Sequence, residues 1–239
     1  MNSNHPLLFL LKKIRTCSDL RPLVVFDLDS TLFRTAERTL TILKEFDWPD
    51  PSIRQKISLL NPEGLEWRYE NHLRSFGIAD ESLLKKVHRF WGERFFQNPY
   101  LAYDTCSPGG AEFVRKVIEN CGIAVYLSGR DEPNMKMGTQ KSLLKYGFPL
   151  DGASAMLIMK EKFEITDKDF KESSIQKLRD MGTVVGAIDN QPDLVRLFKS
   201  AFPDAYVIFV DSVYPPEEEP PDPGWPTIKT FELPEGSVE

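Results

Sequence analysis

The sequence predicts an α/β protein built on a parallel sheet. Three apolar runs of strand length carry that expectation: Leu23-Val24-Val25-Phe26, Ile123-Ala124-Val125-Tyr126-Leu127 and Val184-Val185-Gly186-Ala187-Ile188. Helical periodicity separates them, and strands that alternate with helices imply parallel pairing through crossovers. Each run also ends in small or acidic polar residues, and the carboxyl edge of such a sheet is where ligands bind.

Taken in order, residues 6 to 16 read as an amphipathic helix packed on the core, and the first strand follows at residue 23. Residues 36 to 103 are far longer than one crossover needs and form a unit of their own. Helical patterns fill that unit, with Ile42, Leu43 and Phe46 in one and Leu83, Leu84, Val87, Phe90, Trp91 and Phe95 in another. Proline-rich breaks at Trp48-Pro49-Asp50-Pro51 and Asn61-Pro62-Glu63-Gly64 separate them. The expected division is therefore a core of residues 1–35 and 104–239 with an inserted helical unit, 36–103. After it come a helix over 111–120 buried through Phe113, Val114 and Val117, the second strand, and a further apolar run at Met156-Leu157-Ile158-Met159. Lys171 opens a helical pattern carried by Ile175, Leu178 and Met181, and the last strand is Tyr206-Val207-Ile208-Phe209-Val210. The proline-rich acidic stretch from Tyr214 to Pro226 reads as a surface strap, and Trp225, Ile228 and Phe231 are apolar enough to dock back on the core.

The chemistry is concentrated at the strand ends. Asp27 and Asp29 stand two apart at the close of a buried strand, so their carboxylates share one side. Two like charges there call for a divalent ion or a shared proton, and a carboxylate can also act as a nucleophile. The plainer alternative is a pair of capping residues for the next helix. Ser128-Gly129 closes the second strand, and Asp189, Asn190 and Asp193 follow the third.

These residues, taken in order, resemble the motifs of the haloacid dehalogenase-like (HAD) hydrolases. Phe26-Asp27-Leu28-Asp29-Ser30-Thr31 matches the first motif, Ser128 the second, Lys171 the third, and Asp189 with Asp193 the acidic fourth. The resemblance implies a Rossmann-like core, an inserted helical cap over the active site, Mg²⁺ and an aspartyl-phosphate intermediate. On that reading Asp27 attacks phosphorus, and Asp29 protonates the leaving group and then serves as base for the hydrolytic water. Ser128, Gly129 and Thr31 hold the phosphoryl group, and Lys171 neutralises it together with Asp27. Mg²⁺ would take the Asp27 carboxylate, the Asp29 main-chain carbonyl, Asp189 and, in the fourth motif, Asp193. Lys160 rivals Lys171 as the phosphate lysine, and the division of labour between Asn190 and Asp193 stays open. Arg130, next to the serine and glycine, is placed either on a substrate anion or in a salt bridge to Asp131. Asp29 directs the expectation to phosphate esters, because relatives that attack carbon lack an acid there.

The implied activity is hydrolysis of a small phosphorylated metabolite. A weaker likeness to the phosphatase domain of polynucleotide kinase 3′-phosphatases, through Ser128-Gly129-Arg130 and Asp189-Asn190-Gln191-Pro192, keeps nucleic-acid ends as an alternative substrate. The net charge of −6 gives no general polyanion-binding surface. A catalytically silent binding protein on the same fold is the reading from another class. Cys17, Cys106 and Cys121 are odd in number and lack metal-site spacing, so a reducing, cytoplasmic setting is expected. The apolar run at residues 7 to 11 precedes its basic residues, the wrong order for a secretory leader, and no run is long enough to span a membrane.

Overall fold

A computed structural model describes residues 5–18, 21–234 and 236. Helix α1 (Pro6–Thr16) leads into strand β1 (Pro22–Phe26), and a short strand β2 (Phe33–Arg34) follows. Helices α2 (Ala36–Glu45), α3 (Pro51–Ser58), α4 (Glu70–Ser75) and α5 (Glu81–Phe95) come next, with a 3₁₀ turn at Pro62–Gly64. A second 3₁₀ segment, Asn98–Tyr103, and strand β3 (Thr105–Cys106) bring the chain back. The remaining elements are α6 (Gly110–Glu119), β4 (Ile123–Asp131), α7 (Glu132–Lys145), β5 (Ala155–Lys160), α8 (Asp167–Met181), β6 (Thr183–Asp189), α9 (Pro192–Ala201), β7 (Tyr206–Val210) and β8 (Thr227–Ile228).

The six-stranded sheet has the order β5-β4-β1-β6-β7-β8, and every pair is parallel. Since β1 lies between β4 and β6, the chain crosses to opposite sides of it, which opens a crevice at the carboxyl end of β1. Strand alternation sorts the side chains onto two faces. Val24, Phe26, Ala124 and Tyr126 join the α1 and α6 side, while Leu23, Val25, Val125 and Leu127 join the α8 and α9 side. Helix α1 is amphipathic as expected, burying Leu7, Leu10, Leu11 and Ile14. The docking of the C-terminal stretch is more regular than its composition implied, because Thr227 and Ile228 pair with Phe209 and Val210 as an edge strand.

The segment between β1 and β4 has its own apolar cluster, made by Leu40, Leu43, Trp48, Ile57, Leu73 and Val87 among others. It leaves and re-enters through the antiparallel pair β2–β3, in which Phe33 faces Cys106 and Arg34 faces Thr105. Its last stretch lies against the core. Leu101 packs with Met135 and Met159, the Ser142 hydroxyl donates to the Leu101 carbonyl, and the Gly138 amide donates to the Asn98 side chain. Gly138 has no room for a methyl group at that contact, since the added carbon would meet the Asn98 carbonyl oxygen at 2.6 Å.

Among the described residues no helix is long and apolar enough to cross a membrane.

Candidate active site

Asp27 is the first residue past β1, and its amide continues the ladder by donating to the Ile188 carbonyl at 3.0 Å. The chain then folds into a tight loop in which the Ser30 amide bonds the Phe33 carbonyl at 2.7 Å and the Phe33 amide bonds the Leu28 carbonyl at 2.8 Å. Ser30 sits at φ 62°, a left-handed conformation held by this loop. The turn places Asp27 and Asp29 on the wall of one large cavity, about 1720 Å³, between the sheet edge and the helical segment.

Lys171, in the second turn of α8, is buried and reaches across to that edge. Its Nζ lies 2.6 Å from Asp27 Oδ1 and 2.7 Å from Asp189 Oδ2. The other Asp189 oxygen accepts from the Gln191 amide at 2.9 Å. One ammonium thus stands between two carboxylates, leaving the group one negative charge in excess. Burial pushes the Asp27 carboxyl up to about 7; Lys171 opposes that shift and the Asp189 charge adds to it. Burial also works against the Lys171 charge, but Asp189 and Asp27 outweigh it and hold its ammonium above the ordinary lysine range.

The rival lysine is engaged elsewhere. Lys160 Nζ donates to the Ile165 carbonyl at 2.8 Å and pairs with Asp167 at 2.9 Å. That pair crosses directly over Gly129, where any side chain would overlap the Asp167 carboxylate. Ser128 and Gly129 both line the cavity, and the Ser128 hydroxyl accepts from the Arg130 amide at 3.2 Å.

Three expected site residues are placed differently. Asp193 is in the first turn of α9, where its carboxylate pairs with Arg196 at 3.2 Å, and it is not on the cavity wall. Its position just after Pro192 turns it along the helix, toward the residue three places on. Thr31 is wholly buried and ties the loop to the β6 edge by donating to the Asn190 carboxamide oxygen at 3.2 Å. Asn190 in turn donates to the Val213 carbonyl at 2.6 Å.

Arg130 neither reaches outward nor pairs with Asp131. Asp131 caps α7 by accepting from the Asn134 amide at 3.0 Å, while the Arg130 guanidinium turns inward to Asp29 and Asp104. Arg38 joins it from α2, binding Asp104 through Nε at 2.7 Å and Nη2 at 2.6 Å and Asp29 at 3.0 Å. The four side chains form a charge-balanced network of two guanidinium groups and two carboxylates. Burial alone would raise the Asp29 carboxyl, but Arg130 and Arg38 overcome it and hold Asp29 well below the usual carboxylate range. In this arrangement Asp29 is therefore a bound anion, and a proton-donor role requires the clamp to open.

Arg38 and Asp104 were not among the residues singled out from the sequence. One signal was available: Arg38 lies four residues before the buried Ile42 and so shares its helix face. Asp104, at the mouth of the returning segment, carries no local signal.

The donor chemistry suits a small hard cation. Asp27 and Asp189 offer carboxylate oxygens and the Asp29 carbonyl is in the same loop, a set short enough to leave room for the waters that Mg²⁺ retains. Among the described residues no three His, Cys, Asp or Glu side chains converge as a complete ligand cluster.

No family model matches the sequence, and no curated protein matches it. Solved structures do. Protein Tyrosine Kinase A of Mycobacterium tuberculosis superposes with a TM-score of 0.55 at 12% identity, covering 87% of this chain and 93% of that one. A candidate phosphatase from Clostridium difficile gives 0.52 at 13% identity, over 81% and 86% of the two chains. A HAD-superfamily hydrolase of subfamily IA from Geobacter sulfurreducens gives 0.49 at 10%, over 90% and 95%. Identities this low speak for architecture alone, and the architecture that the first two share with this chain is a Rossmann-like α/β fold.

Proposed function

We propose that the protein is a Mg²⁺-dependent phosphomonoester hydrolase that works through an aspartyl-phosphate on Asp27 and acts on a small phosphorylated molecule. The observation that carries this reading is the Asp27–Lys171–Asp189 trio at the carboxyl edge of β1 and β6, with Asp27 opening into the cavity. An Asp27 oxygen attacks phosphorus while the bond to the ester oxygen breaks and its electron pair stays with the leaving oxygen, which takes its proton from solvent water because Asp29 is held as an anion. Water then attacks the same phosphorus, the bond to Asp27 breaks, and inorganic phosphate leaves. Lys171 offsets charge on the carboxylate as it approaches the phosphate, and Ser128 with the Gly129 amide faces the phosphoryl oxygens. Asp27, Asp189 and the Asp29 carbonyl would hold Mg²⁺, which would supply Lewis-acid screening of the phosphate.

Asp29 receives the hydrolytic water in this scheme, as an anion held by Arg38 and Arg130. Asp193, paired to Arg196, is left out of the ligand set.

A small substrate is favoured over a nucleic-acid end because three arginines on the cavity wall are already matched by carboxylates. Arg34 pairs with Glu63, Arg68 with Glu217 and Arg74 with Glu81. Phosphate release from a panel of sugar phosphates, nucleotides, aryl phosphates and 3′-phosphorylated oligonucleotides, with Mg²⁺ and with excess chelator, tests the proposal. Mg²⁺-dependent turnover of small esters is expected. Turnover that survives chelation overturns the metal-assisted mechanism, and folded protein inert toward the whole panel points to a silent binding protein.

A further inference from the structure

The loop between β5 and α8 carries a charge pair that the proposed mechanism leaves unused. Lys160, the last residue of β5, is buried, and its Nζ donates to the Ile165 carbonyl at 2.8 Å and meets Asp167 Oδ1 at 2.9 Å. These contacts close residues 160–167 into a loop that ends on the first residue of α8. Asp167 lies four residues before Lys171, so it shares the helix face that turns Lys171 toward Asp27 and Asp189.

The pair roofs the turn after Ser128. A methyl group added at Gly129 would overlap the carboxylate carbon and both oxygens of Asp167, so this carboxylate rests on the Gly129 backbone. Lys160, Asp167, Ser128 and Gly129 all line the cavity that holds Asp27. With the Gly129 amide facing a phosphoryl oxygen, a half-exposed carboxylate stands beside the position an anion must occupy.

The surrounding charges give that carboxylate no other partner. Asp27, Lys171 and Asp189 hold one negative charge in excess, and the Arg38–Asp104–Arg130–Asp29 set is balanced within itself. Lys160 alone brings Asp167 to neutrality. Without it, a phosphate dianion would meet a second uncompensated carboxylate, and at the few ångströms between groups around one amide that repulsion is worth about a factor of ten in affinity under partial solvent screening.

We propose that Lys160 is a positioning residue: by holding and neutralising the Asp167 carboxylate against Gly129, it keeps the Ser128–Gly129 turn open to a phosphoryl anion. The inference rests on the phosphatase reading above, which puts that anion at this turn. Two of the three ammonium donors of Lys160 are already taken, by the Ile165 carbonyl and by Asp167, so its action on the anion runs through Asp167.

Calorimetric titration with inorganic phosphate in the presence of Mg²⁺ tests this without relying on turnover. Lys160→Met should weaken phosphate binding about tenfold, and Asp167→Asn should tighten it several-fold. The double variant, which removes both charges, should return to within about twofold of the unmodified protein, a rescue that a merely structural lysine would not show. Lys160→Arg, which keeps the charge, should also bind phosphate nearly as well as the unmodified protein. Equal affinities in Lys160→Met and the unmodified protein overturn the inference and leave the phosphatase reading intact. A double variant as weak as Lys160→Met overturns it too, because the lysine would then touch the phosphate directly. Should Lys160→Met fail to fold, Asp167→Asn decides alone, and unchanged or weaker binding there counts against the inference. An unmodified protein that binds no phosphate removes the phosphatase reading of the site and the inference with it.

Discussion

Arg38 donates to Asp29 across 3.0 Å, joining a helix of the inserted segment to the loop that carries Asp27. The pair belongs to a buried set in which Arg130 and Asp104 complete the charge balance. Such a set adds little net stability as a whole, but removing one member strands the others. Arg38→Met should therefore cost about 3–5 kcal/mol in denaturant unfolding. Adding Asp104→Leu should recover part of that loss, because it removes the carboxylate that Arg38 chelates. A double variant as unstable as the sum of both singles would mean that packing around Phe95, and not charge, dominates at this seam.

Asp27 carries a structural cost. Burial raises its pKa to about 7, above an unfolded value of roughly 4. Between those values the native state holds a proton that the unfolded chain has lost, so this group's contribution to stability falls as pH rises through the interval. Asparagine does not ionise. In metal-free protein Asp27→Asn should raise the Tm relative to wild type by about 2–4 °C at pH 8, with the gain vanishing near pH 4. Turnover by the same variant should fall by several orders of magnitude. Unchanged turnover would show that water, and not Asp27, attacks phosphorus.

The parts of the site legible in the sequence are those that a strand end announces. Asp27, Ser128 and Asp189 each follow an apolar run, and parallel pairing of those runs brings their ends to one edge. The pattern favoured Lys171, at a helix start after the polar run Thr166-Asp167-Lys168-Asp169, and kept Lys160 as a rival because it directly follows the apolar run Met156-Leu157-Ile158-Met159. Packing of α8 on the sheet points Lys171 between two carboxylates and leaves Lys160 to the local Asp167. The Arg38–Asp104–Arg130–Asp29 set was illegible because its contacts span between 9 and 101 positions with no local pattern, and Arg38 and Asp104 meet across 66 positions only when the inserted segment folds back. Arg130 shows the same limit: a substrate anion and Asp131 were the two expected partners, but strand alternation sends Asp131 the other way and Arg130 turns inward to Asp29 and Asp104.

The two lysines should respond differently to removal. Lys171→Met leaves Asp27 and Asp189 facing each other without a cation, which raises the Asp27 pKa further and favours the protonated native state. Its stability should therefore fall as pH rises from 5 to 8, more steeply than that of wild type, and its turnover should drop by orders of magnitude. Lys160→Met loses one carbonyl contact and one half-exposed carboxylate, so its stability should shift by about 1 kcal/mol or less, with little change in slope. Parallel pH–stability curves for the two variants would remove the case for Lys171 as the lysine of the site.

The roles of the two first-motif aspartates separate in the pre-steady state. Arg38 and Arg130 hold Asp29 ionised, which disfavours a proton donor in the first step and leaves for the second a proton acceptor that is weak while the clamp is closed. An activated aryl ester leaves without a proton, so Asp29→Asn should transfer its phosphoryl group to Asp27 at near the normal rate and then stall, because the water lacks its base. Mixing that variant with excess aryl phosphate should release aryl alcohol in a burst near one equivalent, followed by a slow steady rate. Acid quench and mass spectrometry should find the phosphoryl group on Asp27. An alkyl phosphate should give no burst in the variant and should be a poor substrate for the wild type as well, since the clamp withholds the proton its alkoxide needs. Were both ester types slowed equally in Asp29→Asn with no phosphoenzyme, Asp29 would be reduced to holding the Arg38–Arg130 network together, and the base would have to be sought elsewhere on the cavity wall.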